Sequence, residues 1–158
     1  MILFLLRHGK ADWPDWKGAD DERPLNDEGI REMRVVAAGL KRVKARPAFI
    51  LSSPLPRALR TAEIAAKELD LPVEQHEELK PGFDLRKCET LLAGHAGADV
   101  MIVGHEPDFS GVIRSLTGGR VKLGKAATAA VEIEEDLAAG RLLWLYPAKT
   151  LIRLTGKA

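Results

Sequence analysis

Two arginines and two histidines of this chain have the side chains needed to bind and transfer a phosphoryl group. They are Arg7, His8, Arg57 and His105, and each of them comes after a short apolar run in the sequence. A guanidinium presents a planar fork of donors that matches the oxygens of a phosphate. A neutral imidazole is a competent nucleophile near its ordinary pKa of about 6.5. The four residues therefore predict a site where one histidine attacks phosphorus and the other stabilises the charge that develops.

Three apolar runs place these residues in the predicted fold. Residues 1–6, 48–52 and 99–104 are apolar without a polar alternation, which is typical of strands covered on both faces. The basic residues follow the carboxyl ends of these strands. In open α/β sheets the carboxyl ends of parallel strands line the ligand crevice, so we expect the four side chains to converge there.

Segments with the apolar spacing of helices separate the strands. In order, they are residues 27–44, a helix opened by Ser53-Pro54, residues 85–93 and a helix after Pro107. Asn26 is the predicted N-cap of the first helix. A short strand is expected at 72–75. Two late strands, 129–133 and 142–146, are predicted to be joined by a turn at Gly140-Arg141.

This alternation predicts a single α/β domain over residues 1–158, built as a three-layer α/β/α sandwich around a mostly parallel central sheet. The 24 Lys and Arg residues against 23 Asp and Glu give a net charge of +1, which does not indicate a nucleic-acid or membrane partner. The apolar run at 1–6 is too short to span a bilayer, and positive charge follows it rather than precedes it. Cys88 is the single cysteine, so no intramolecular disulfide can form. We expect a cytoplasmic protein.

Four stretches of the chain match the motifs of a known family in their order and spacing. They are residues 6–11 (Leu-Arg-His-Gly-Lys-Ala), 22–26 (Glu-Arg-Pro-Leu-Asn), 52–63 (Ser-Ser-Pro-Leu-Pro-Arg-Ala-Leu-Arg-Thr-Ala-Glu) and 103–108 (Val-Gly-His-Glu-Pro-Asp). On these motifs the chain resembles the histidine phosphatase superfamily, which has the phosphoglycerate mutase-like fold. It is more closely similar to the small, SixA-type phosphohistidine phosphatase branch of that superfamily.

The resemblance implies a role for each of the four basic residues. His8 matches the nucleophile that becomes phosphorylated, and Arg7, Arg57 and His105 match the rest of the phosphate pocket. The implied reaction passes through a phosphoenzyme that water hydrolyses, and it uses neither a metal nor another cofactor. Residues 61–100 leave room for a loop and one or two helices, so we expect no large lid insertion.

The general acid is less clearly marked than the nucleophile. Larger relatives in the family place an acidic residue in a loop where this chain has Glu78, and Glu106 is a second candidate because it follows His105. An alcohol leaving group needs such a proton donor. The imidazole of phosphohistidine leaves neutral once solvent has protonated it, so a poorly marked acid favours a phosphoramidate substrate.

Three functions are compatible with these residues. The first is a phosphohistidine phosphatase acting on a phosphorylated protein histidine, as in a phosphotransfer-type domain, because a short chain leaves the crevice open. The second is a phosphomonoesterase acting on a small phosphorylated metabolite. The third is a phosphate- or phosphoprotein-binding module without turnover, although binding alone does not need the attacking imidazole.

Aromatic and histidine residues outside the motifs give further expectations. Trp13 and Trp16 follow His8 in an apolar loop and either wall the pocket or pack over the sheet edge. His76 and His95 lie in predicted loops without companions, so we expect them to be exposed to solvent.

Overall fold

The computed structural model describes residues 1–134 and 136–157 and contains a six-stranded sheet. Its strands are β1 (Ile2–Arg7), β2 (Phe49–Ser52), β3 (Val73–Gln75), β4 (Val100–Gly104), β5 (Thr128–Ile133) and β6 (Gly140–Tyr146). Their order is β3-β2-β4-β1-β5-β6. The first four are parallel to one another, and β5 and β6 are antiparallel to their neighbours. The mostly parallel sheet predicted from the sequence is therefore confirmed.

Helices cover both faces of the sheet. They are α1 (Asp27–Arg42), α2 (Pro56–Leu69), α3 (Leu85–Ala93), α4 (Asp108–Thr117) and α5 (Ala148–Arg153). Helices α1, α2 and α5 share one apolar core with the sheet, and α3 and α4 share the other. The three-layer sandwich is confirmed, and the segment between α2 and β4 holds β3, a 3-10 turn and α3 without a large lid. In the ranges described, no helix is both long and apolar enough to cross a bilayer.

Strand β1 shows why the apolar runs lack alternation. Leu3 and Leu5 face the core shared with α3 and α4, whereas Phe4 and Leu6 face the core shared with α1, α2 and α5. Each of these side chains is at most 4% exposed. A strand between two helical layers must be apolar at every position, because both of its faces are buried.

Helix boundaries follow local polar groups. The Asn26 side chain accepts a hydrogen bond from the Gly29 amide, so the predicted N-cap of α1 is confirmed. The predicted helix start at Ser53-Pro54 is wrong. The Ser53 hydroxyl accepts instead from the Leu55 amide, and α2 begins with Pro56 at its first position, where no amide proton is needed.

The end of the chain departs from the predictions in two ways. The predicted turn at Gly140-Arg141 is wrong, because both residues pair with β5 as the first residues of β6. Helix α5 was not predicted, since six residues are too short to show a helical period. Helix α5 packs closely against α1 at Gly39, because a Cβ at this position would lie only 2.3 Å from the Leu151 carbonyl oxygen.

Candidate active site

The register of β1 against β4 brings His8 and His105 together. Arg7 pairs with Gly104 at the carboxyl ends of the two strands. The residue that directly follows each strand is a histidine. The His8 amide donates to the Gly104 carbonyl at 3.0 Å, and the two imidazole centroids are 5.5 Å apart. Convergence at the carboxyl edge of the sheet is therefore a direct result of parallel pairing.

His8 is held in one tautomer by the backbone of the next residue. Its Nδ1 lies 2.7 Å from the Gly9 carbonyl oxygen, a contact that requires a proton on Nδ1. The lone pair of the neutral ring therefore resides on Nε2. The Gly9 amide donates to the Thr61 hydroxyl, which in turn donates to the Arg57 carbonyl, so the His8 turn is tied to α2.

His105 is oriented by Ser53. Its Nε2 lies 2.9 Å from the Ser53 hydroxyl oxygen, which accepts the Leu55 amide and, among the described residues, has His105 Nε2 as the acceptor for its own proton. This arrangement puts the ring proton of His105 on Nδ1. That atom is buried and makes no hydrogen bond within the described ranges, so it is available as a donor.

Two guanidiniums flank the histidines and retain unused donors. Arg7 Nη1 donates to the Leu123 carbonyl at 3.0 Å, and Arg57 Nη1 donates to the Asp20 carbonyl at 2.7 Å. The Nε atoms of both arginines are buried without a partner among the described residues. An unpaired buried donor costs about 1–3 kcal/mol. The oxygens of a phosphoryl group are acceptors of the right charge to remove that cost.

Burial and the arginines keep both imidazoles neutral. Burial, with the charges of Arg57 and Arg7, lowers the pKa of His8 to about 4, although the Gly9 carbonyl opposes the shift. Burial, followed by the charges of His8, Arg57 and Arg7, lowers the pKa of His105 to about 3. At pH 7 the site therefore presents one ring with a free lone pair and one with a free N–H.

The lowered pKa of His8 predicts a loss of stability in acid. In the unfolded chain this imidazole takes up a proton as pH falls through about 6.5, whereas in the folded protein it does so only near pH 4. The free energy of unfolding therefore falls as pH drops from about 6.5 to 4, on the order of 3 kcal/mol for this group. Urea unfolding at a series of pH values measures the change. The His8→Ala variant should show a shallower decline, and an identical decline would contradict the assignment.

Two further residues enter the site from the loop between β1 and α1. Arg23 donates to Asp20 Oδ1 from Nε at 3.2 Å and from Nη2 at 2.9 Å, and it also donates to the Ala11 carbonyl. Asp20 Oδ2 lies 3.4 Å from Arg57 Nη2. The hydrogen bond from Arg23 holds the pKa of the Asp20 carboxyl below its usual range. The sequence signal for Arg23 was its place in the 22–26 motif, whereas Asp20 had none.

Neither acidic candidate forms a hydrogen bond or ion pair with the imidazole of His8 or His105 within the described residues. Glu78 lies in the 3-10 turn Glu77–Leu79 and lines a groove of about 300 Å³ together with residues of α3 and its N-cap. Both carboxylate oxygens of Glu106 accept backbone amides, those of Ser110 at 2.7 Å and Leu123 at 3.3 Å. Glu106 thus joins the start of α4 to the loop before β5, and its geometry is that of a capping carboxylate.

The two tryptophans hold the loop that carries Asp20 and Arg23. The indole N–H of Trp13 donates to the Pro24 carbonyl, and that of Trp16 donates to the Ala19 carbonyl. Trp13 is 40% exposed and Trp16 is 37% exposed, so neither ring is buried against the sheet. Their hydrogen bonds stay within the loop and fix its path beside the pocket.

Comparison with known proteins gives the same family as the motifs. Residues 3–81 match the model of the histidine phosphatase superfamily, branch 1. The chain is 30% identical over 143 residues to the phosphohistidine phosphatase SixA of Escherichia coli, which covers 86% of this chain and 88% of that protein.

Solved structures share the architecture over nearly the whole chain. A SixA protein histidine phosphatase complexed with tungstate has a TM-score of 0.85 at 30% identity, covering 96% of this chain and 99% of that one. A phosphoserine phosphatase from Entamoeba histolytica has a TM-score of 0.71 at 18% identity, covering 95% and 98% of the two chains. The second likeness shows the fold alone.

Proposed function

This chain belongs to the histidine phosphatase superfamily and is a phosphatase of a kind that acts without a metal ion; from that premise, we propose that it removes phosphate from a phosphorylated histidine of a protein, through a phosphohistidine intermediate on His8. The observation that carries the proposal is the pair of imidazoles between two arginines. His8 keeps its lone pair on Nε2, and His105 keeps a buried, unpaired donor at Nδ1.

In the first step, the lone pair of His8 Nε2 attacks phosphorus as the P–N bond to the substrate imidazole breaks. The electrons of that bond pass to the substrate nitrogen, which takes up a proton, so the substrate histidine leaves neutral. Arg7 and Arg57 bind the phosphoryl oxygens, and His105 donates from Nδ1 to the charge that develops on them. The product is a phosphoryl group on His8.

In the second step, water attacks the same phosphorus and the P–N bond to His8 breaks. The products are inorganic phosphate and a neutral His8 with its lone pair free on Nε2, and the pKa of about 4 keeps His8 neutral for the next cycle. In the described residues, neither Glu78 nor Glu106 forms a hydrogen bond with the two imidazoles. An alkoxide leaving group would need a positioned acid, whereas an imidazole takes its proton from solvent, so the geometry favours phosphohistidine over an alkyl phosphate.

A basic groove beside the pocket supports a protein substrate over a metabolite. The groove has a volume of about 620 Å³ and runs from Arg7 and the start of α4 to exposed cations at Arg114, Arg120 and Lys122. These three cations form no ion pair within the described part of the chain. A small phosphate ester bound at His8 would leave most of this groove without a contact. An acidic segment of a phosphoprotein would complement it.

Charge reversal in the groove separates protein docking from chemistry. The double substitution Arg120→Glu and Lys122→Glu should raise KM for a phosphoprotein by about tenfold, because it replaces attraction by repulsion at the rim. Hydrolysis of p-nitrophenyl phosphate should change less than about twofold, since neither residue contacts the histidines. The matched control is Lys149→Glu with Arg153→Glu, two exposed cations of α5 on the other face of the sheet. Equal effects of the two double variants would contradict a docking role.

The substrate class is tested by comparing two substrates in a chelating buffer. The purified protein is incubated in EDTA with a phosphohistidine-bearing phosphotransfer domain and, separately, with p-nitrophenyl phosphate. We expect faster loss of phosphate from the protein than from the aryl ester, and no loss with His8→Ala. Hydrolysis of the ester alone would make the chain a phosphomonoesterase of small molecules. Phosphate binding without turnover of either substrate would make it a binding module.

A further inference from the structure

We propose that Glu74, His76 and His95 form a binding site for a divalent transition-metal ion, best suited to Zn²⁺, outside the phosphate pocket. Glu74 Oε2 lies 3.3 Å from His76 Nε2 and 3.4 Å from His95 Nε2. All three donor atoms lie within 4.8 Å of one another. The expectation that the two histidines have no companions is therefore wrong: the end of β3 and the loop after α3 bring them to one carboxylate.

The two separations from Glu74 Oε2 suit a shared metal better than hydrogen bonds, and the two imidazole nitrogens lie within 4.8 Å of each other. Two ligands on a tetrahedral zinc with bonds of about 2.0–2.1 Å lie about 3.3–3.4 Å apart. Glu74 Oε2 stands at these separations from both imidazole nitrogens. Hydrogen bonds from an imidazole N–H to a carboxylate are shorter, at about 2.7–2.9 Å when the donor is charged.

The tautomer of His95 points to a cation between the rings and the carboxylate. His95 Nδ1 lies 3.1 Å from the Leu91 carbonyl oxygen, so the proton of the neutral ring is on Nδ1. Its Nε2 lone pair then faces a carboxylate oxygen, and these two acceptors repel each other unless a proton or a metal ion lies between them. When one ring nitrogen of a histidine binds a metal, the other ring nitrogen usually donates its N–H to a group such as a backbone carbonyl. His95 has such a partner in the Leu91 carbonyl.

The site is partly sheltered and has a place for water. The His95 side chain is 12% exposed and packs its ring edge-on to Phe49, whereas His76 is 27% and Glu74 is 43% exposed. Three protein ligands leave a fourth position on zinc open to solvent. Strand β2 separates β3, which leads to His76, from β4, which leads to His105. A bound ion would thus join the edge strand to the loop after α3 and take no part in phosphoryl transfer.

Metal titration of the full chain tests this site. The protein is stripped with EDTA and dialysed, then titrated with Zn²⁺ by calorimetry and with Co²⁺ by visible absorption. We expect one equivalent to bind, with the visible bands of a tetrahedral cobalt centre. We also expect Tm to rise by roughly 5–10 °C at a hundredfold excess of Zn²⁺ over Kd. Absence of stoichiometric binding by the wild-type chain would overturn the proposal.

Substitutions decide where the ion binds. Glu74→Gln preserves the shape of the side chain and His95→Ala removes the sheltered ligand, and each should weaken Zn²⁺ binding at least tenfold. Both variants should keep the phosphatase activity measured in EDTA, which shows that they fold. The other neighbouring pair of histidines is tested by His8→Ala, which should bind Zn²⁺ as the wild type does. Binding that is lost with His8→Ala, or kept in both other variants, would place the ion elsewhere and overturn the proposal.

Discussion

Replacing His8 by alanine will lower kcat for a phosphohistidine substrate by at least about 10⁴-fold, because the variant has no atom in the place of Nε2 to accept the phosphoryl group. The fold should persist, since His8 is a neutral ring at the end of β1 and its removal leaves the β1–β4 backbone pairing intact. Steady-state turnover and circular dichroism of the same sample measure the two expectations.

The matched control is another histidine of the same chain. His95→Ala removes a partly buried imidazole that makes no contact with the pocket residues described above, and it should retain turnover in EDTA. Retention of more than about 1% of wild-type activity by His8→Ala, with the fold intact, would contradict His8 as the nucleophile. A comparable loss with His95→Ala would mean that the assay reports the fold rather than the chemistry.

Replacing Arg57 by alanine will lower kcat/KM by about 10²–10³-fold, the usual cost of removing one preorganised donor to a developing anion. Arg57 is 5% exposed, so its guanidinium acts in a site that excludes most water. Arg57→Lys should restore little, since an ammonium has neither the fork geometry nor an equivalent of the buried Nε donor. The measurement is a kinetic comparison of the three proteins with the same phosphohistidine substrate.

Arg60 provides the control on the same helix. It lies one turn after Arg57, is about half exposed, and pairs with Glu63 at 3.5 Å. Arg60→Ala should therefore change kcat/KM less than about twofold. The removal of Arg57 also takes away one of the cations that lower the pKa of His8, so the NMR titration of His8 should move upward in Arg57→Ala. An unmoved titration together with unchanged kinetics would place Arg57 outside the phosphate pocket.

The fold and the centre of the site were predictable because both rest on local patterns. Apolar runs without alternation predicted the buried strands, and β1 confirms the reason by sending Leu3 and Phe4 to opposite cores. The strand prediction placed His8 and His105 at the carboxyl ends of parallel strands and so predicted that they converge. The structure adds that β1 and β4 are direct neighbours, with Arg7 paired to Gly104, which puts the two histidines side by side.

The features that escaped prediction depend on contacts between distant segments. Asp20 reaches Arg57 from a loop whose path is held by two indole N–H groups and by Arg23. His76 and His95 meet at Glu74 only because the turn after α3 lies against the edge strand β3 in the folded chain. Such contacts leave no periodic or motif signal in the sequence, and tertiary packing decides them.

The predicted helix start at Ser53-Pro54 was wrong for a similar reason, although the contacts that decide it are closer in the sequence. A serine before a proline is a common helix start, and the sequence contains that pair. The structure uses the hydroxyl of Ser53 differently, to accept the Leu55 amide and to orient His105. Ser53 therefore matches the sequence pattern of a helix start, but its hydroxyl orients a histidine of the candidate active site instead.

The covalent intermediate is the direct test of His8 as the phosphoryl acceptor. The protein is mixed with a phosphohistidine-bearing domain for less than one turnover, quenched at alkaline pH where phosphohistidine survives, digested, and examined by mass spectrometry. We expect an acid-labile phosphoryl group on the peptide that contains His8, and none on that peptide in His8→Ala. A phosphoryl group on a different residue, or wild-type turnover that passes through no phosphorylated His8, would contradict the mechanism.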